Sequence, residues 1–97
     1  MQVNIITMQL FDLGKVVATH GALDALQEAQ VDPMTLVARH ANGDWGDLGD
    51  EDKQSNQAAL EDDTRIFSAY ILPDGVKIWV ITEWDRSYTT LLLPSEY

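Results

Sequence analysis

His40, Arg65, Arg86, Ser87 and Thr89 are the side chains of this sequence best suited to moving protons and handling phosphate. An imidazole exchanges a proton near neutral pH, a guanidinium steadies a phosphorane, and hydroxyls hold phosphate oxygens. Together they read as a small metal-independent RNase-like toxin in which His40 moves the proton and Arg65 or Arg86 faces the phosphate. The structural alternative joins Asp85 and Arg86 in a turn salt bridge and gives the threonines to strand formation. Beside His40 runs Asp44-Trp45-Gly46-Asp47. In the catalytic reading Asp44 orients the imidazole. In the structural one Asp47 caps the next helix, Trp45 plugs the edge of the core and His40 donates to a backbone carbonyl.

A second concentration of chemistry is purely electrostatic. Asp44, Asp47, Asp50, Glu51, Asp52, Glu61, Asp62 and Asp63 face only Lys53, so 20 residues hold seven of the ten excess negative charges. Calcium loops alternate their oxygen ligands around a glycine, whereas these carboxylates fall at positions 1, 4, 7, 8 and 9 counted from Asp44. No metal site and no cofactor is expected. Such a patch suits a basic groove on another protein, including one built for DNA. The expectation is therefore a non-enzymatic interaction protein that presents this negative face, with Trp45 in its partner-binding set, to a basic partner, in its sharpest form a DNA-mimic inhibitor. Direct nucleic-acid binding and membrane binding are not expected from a net charge of −10.

The elements that must carry these residues fit one domain over residues 1–97. The chain has no cysteine, which removes disulfides and thiolate chemistry. It shows no basic leader and no long apolar run, so a cytoplasmic location is expected. Residues 1–10 read as an extra strand or an arm. Gly14-Lys-Val-Val-Ala-Thr19 reads as a short strand, followed by a helix from about His20 to Gln30 with Thr19 as cap and Leu23 and Leu26 buried. Asp32-Pro33 opens a second helix on which Met34, Val37 and Ala41 share one stripe and Leu36 and His40 pair. A third, mostly polar helix follows from about Glu51 to Leu60. Three strand patterns, Arg65–Leu72, Val76–Glu83 and Tyr88–Leu93, close the chain. The predicted class is α+β, with about three N-terminal helices packed on a C-terminal antiparallel meander of three to four strands. Both faces of that sheet read as apolar at the centre, which leaves one for the N-terminal segment or for the second subunit of a homodimer.

Leu13-Gly-Lys-Val-Val-Ala-Thr19, Gly21-Ala-Leu-Asp-Ala-Leu26, Arg39-His40, Gly43-Asp-Trp-Gly-Asp47, Ile78-Trp-Val-Ile-Thr-Glu83, Asp85-Arg-Ser87 and Thr89-Thr-Leu-Leu-Leu-Pro94 with Tyr97 occur together. In these runs, over about residues 11–97, the chain resembles a family of small uncharacterised bacterial proteins labelled plasmid-related. The resemblance implies a cytosolic bacterial protein of mobile-element origin. Some members carry a label as a type I restriction enzyme subunit. A methyltransferase subunit requires a glycine-rich cofactor loop on a doubly wound sheet, and this sequence has none.

Overall fold

A computed structural model describes residues 9–97, so most of the segment read as an extra strand or arm lies outside the described residues. Strand β1 (Lys15–Ala18) leads into helices α1 (His20–Glu28), α2 (Pro33–Ala41) and α3 (Asp50–Asp62). Strands β2 (Ile66–Ile71), β3 (Lys77–Thr82) and β4 (Tyr88–Leu92) follow, and a 3-10 turn (Pro94–Glu96) ends the chain. The helix starts are those the capping residues dictate. Thr19 Oγ1 accepts from Ala22 N at 3.1 Å, and Asp32 accepts from Met34 N at 2.9 Å with Pro33 in the first turn.

The fold is α+β, but the sheet is mixed and not purely antiparallel. Its order is β1-β4-β3-β2, and β1 runs parallel to β4 in the register Lys15↔Tyr88 to Ala18↔Leu91. The helices are also not N-terminal to the whole sheet. They form the connection that carries the chain from β1 at one edge of the sheet to β2 at the other.

Alternation sorts the strands into two faces. Ser68, Tyr70, Ile78, Val80, Thr82, Thr89 and Leu91 point to the helical layer, where Ala22, Leu26, Leu36 and Val37 complete the main core. Leu23 and Met34, expected in the buried stripes, are exposed because α1 turns Ala22 and Leu26 inward and α2 turns Leu36, Val37 and His40 inward. A smaller cluster of Trp45, Ala59 and Ile66, flanked by Phe11, Leu48 and Leu60, fills the space beneath α3.

The outer edge of β2 is closed. Phe67 N and O are both held by the buried Asn56 side chain, at 3.0 and 2.6 Å. Ala69 N donates to Trp45 O, Asp47 N donates to Ala69 O, and Ile71 N donates to the Asp47 carboxylate at 3.0 Å. Residues 45–47 thus act as a stub of a fifth strand, bridged in parallel at Gly46↔Ala69. A sheet edge without exposed donors does not recruit foreign strands.

Candidate functional site

His40 is wholly buried, and its two ring nitrogens are both engaged. Nδ1 lies 2.6 Å from Ser68 Oγ and Nε2 lies 2.9 Å from Thr82 Oγ1. Thr82 Oγ1 is 2.7 Å from Thr89 Oγ1, and Thr89 donates to the Leu13 carbonyl at 2.7 Å. The direction of this chain follows from its last member. A carbonyl only accepts, so the Thr89 proton points at Leu13, the Thr82 proton at Thr89, and Nε2–H at Thr82. Nδ1 is then the bare nitrogen that accepts from Ser68. The ring is held as the neutral Nε2–H tautomer, and burial pushes its pKa down to about 3.

The residues read as an RNase-like set do not meet. His40 and Thr89 belong to the sealed chain beneath the helices. Arg65 projects on the opposite side of the sheet, where it lies over the Tyr97 ring and donates to the Tyr97 hydroxyl. Ser87 donates through its N–H and its hydroxyl to Asp85, which holds that carboxyl below the usual range. Arg86 does not pair with Asp85. Its guanidinium donates to Thr64 O at 2.7 Å, Ala59 O at 2.9 Å and Glu83 O at 3.0 Å, tying the end of α3 to the β3–β4 turn. Arg86→Lys keeps the charge but loses the planar fork. We expect a loss of about 1–3 kcal/mol in urea denaturation, with faster amide exchange in the last turn of α3.

The loop Asp44–Asp47 is built by its neighbours. Arg39 Nε binds Asp44 at 2.7 Å, the one ion pair among the described residues, and the guanidinium lies 4.5 Å from the Tyr70 ring centroid. The hydrogen bond from Arg39 holds the Asp44 carboxyl below its usual range. Tyr70, buried and with its pKa pushed up to about 12, donates to Asp44 O at 2.6 Å. Trp45 packs against both Phe11 and His40, which meet edge to face at 5.2 Å, and is buried as a plug, so it is not part of a surface open to a partner. Asp47 does not cap α3. The cap position is Gly49, which supplies no side-chain bond, and Asp47 is turned to β2.

Along α3 the acids stay free. Asp50, Glu51, Asp52, Glu61, Asp62 and Asp63 are exposed, and no ion pair forms to any of them among the described residues. The first three lie in the first turn, where the helix dipole favours them. The last three lie at the opposite end, where it does not, and Asp63 closes the helix in the left-handed region at φ 51°. A shallow groove of about 340 Å³ runs between this helix and the loop, lined by Gly43, Trp45, Asp50, Lys53, Gln54 and Gln57.

Two contributors escaped the sequence reading. Ser68 was detectable as a polar residue on the core-facing register of β2. Asn56 was not, because nothing in a polar helix marks which amide is buried. Against protein-family models, curated proteins and solved structures, the chain matches none.

Proposed function

We propose that the protein is a non-enzymatic interaction protein of a bacterial mobile element, acting in the cytoplasm. It presents the carboxylates of α3, with Asp44 and Asp47 at their flank, to a basic surface on a host protein. The sharpest form of this reading is a DNA mimic that blocks a nucleic-acid-binding complex. One observation carries it: three free carboxylates crowd the C-terminal end of α3, against the helix dipole and against one another. Folding gains nothing from that arrangement, so its use lies outside the fold. Free surface charges at this density steer association with an oppositely charged partner and give it a strong salt dependence.

The test is an affinity pull-down from host lysate at low and high salt. The parent and a variant with Asp50, Asp52, Asp62 and Asp63 changed to Asn and Glu51 and Glu61 to Gln are compared. The parent is expected to capture a basic protein at low salt and to release it at high salt, and the variant to capture at least tenfold less. Equal capture by both chains would overturn the proposal. So would retention of the parent on heparin at low salt, since a mimic of nucleic acid is repelled by a polyanion.

A further inference from the structure

The face of the sheet turned away from the helices has a composition unlike the rest of the molecule. Its outward positions are Lys15 and Val17 on β1, Tyr88, Thr90 and Leu92 on β4, Lys77, Trp79 and Ile81 on β3, and Phe67, Ala69 and Ile71 on β2. The same alternation continues to Arg65 before β2 and to Glu83 after β3, where Glu83 N still reaches Tyr88 O at 3.0 Å. Three of the six basic residues therefore lie on this face, and of the sixteen acidic ones only Glu83 does.

The face is aromatic as well as basic. Phe67 and Trp79 meet edge to face at 5.0 Å, and Tyr97 folds back onto Trp79 at 5.6 Å. Ala69, Ile81 and Leu92 are already buried in the single chain, whereas Ile71, Tyr88 and Tyr97 around them remain 55%, 47% and 68% exposed. Exposed aromatic and aliphatic groups with an arginine, and few acids, are the composition of protein–protein interface cores. Three cations offset by a glutamate, on a body of net charge −10, are too few for a nucleic-acid groove.

We propose that this face is the interface of a homodimer, two copies packed sheet to sheet about a two-fold axis crossing the middle of β3. Electrostatics select the occupant. Two bodies of charge −10 repel through every surface on which carboxylates dominate. Through this face each copy instead places its own cations between the two acidic helical layers. The sequence of β3 supplies the register. Lys77 and Glu83 stand six residues apart, roughly 20 Å along a strand, at the two ends of the same face. Packing β3 antiparallel over its copy sets each lysine opposite the partner's glutamate, the self-complementary pattern a two-fold interface requires. Face-to-face sheets align within about 30°, which keeps both ends in register.

Sedimentation equilibrium on the full chain tests this, with urea denaturation to show that each variant folds. The parent is expected to be a dimer at micromolar concentration. Ile71→Glu is expected to weaken the dimer at least tenfold while leaving the fold intact. Lys77→Glu and Glu83→Lys should each weaken it, and the double exchange should restore it, because the pairing across the axis is then only reversed. A monomeric parent at millimolar concentration would overturn the proposal. A dimer indifferent to Ile71→Glu, a failed restoration, or binding of a single-stranded oligonucleotide probe to this face would do the same. The dimer stands or falls independently of any partner of α3.

Discussion

Replacing His40 with Leu is expected to lower stability at pH 7 by about 2–4 kcal/mol, since the Ser68 proton and the Thr82 lone pair are left buried without partners. The same variant is expected to be less sensitive to acid than its parent. The native pKa of His40 is about 3 and its unfolded value 6.5, so between those limits a proton binds the unfolded chain and not the native one. A lowered folded pKa means that the stabilisation is complete above the unfolded pKa and is lost as pH falls towards the folded one. At roughly 1.4 kcal/mol per pH unit, the parent forfeits about 5 kcal/mol across the window, and His40→Leu forfeits none of it. The two stability curves should cross between about pH 5 and pH 3.5. Urea unfolding at half-unit pH steps measures this directly. Parallel curves from pH 7 to 3.5 would show that the imidazole takes up its proton in the folded chain, and the sealed hydroxyl chain would be disproved.

Gly46→Ala should be still more damaging. Gly46 has φ +76°, and a β-carbon there would lie 2.1 Å from the Ala69 carbonyl oxygen and 2.7 Å from the Tyr70 ring. The obstacle is backbone, so relief requires the loop to leave β2 and break the bonds at Ala69 and Ile71. We expect a loss of about 3 kcal/mol or more. We also expect concentration-dependent aggregation, because the edge of β2 is then uncovered. Two other glycines calibrate the effect. Gly75 also has a positive φ, +90°, but open space around it, so Gly75→Ala should cost only about 1 kcal/mol of backbone strain. Gly49→Ala has neither obstacle and should be close to neutral. Thermal melts with light scattering rank the three, and equal losses at positions 46 and 75 would refute the plug.

The sequence made some of this legible and concealed the rest for identifiable reasons. The hairpins of β2, β3 and β4 were readable because apolar alternation and Pro73-Asp74-Gly75 are local signals. The segment at Lys15–Ala18 was readable as a strand, but its partner was not. Gly14 is the local trace of the pairing with β4, since at φ +64° a β-carbon there would lie 2.3 Å from the Arg86 and Ser87 carbonyl oxygens, but a lone glycine does not name the segment that approaches it. Leu23 and Met34 were misplaced for a related reason, since on short helices rich in alanine the apolar stripe is too broad to choose its buried flank. His40 was conspicuous as a reactive side chain, but the hydroxyls that enclose it come from β2, β3 and β4. Trp45, whose sequence setting suits either a plug or a partner-facing ring, is a plug. Asp47 was assigned to α3 by a capping rule, but a β-strand with unmet donors had the stronger claim.

The pairing of the first strand with the last has a consequence for biogenesis. Lys15 to Ala18 find their partners only in residues 88–91, and the Thr89 bond to Leu13 spans 76 positions. A ribosome releases the chain from its N-terminus, so the helices emerge long before anything exists for β1 to pair with. Closure of the sheet must await synthesis of residues 88–91, and the nascent helical layer spends that interval with its apolar side uncovered.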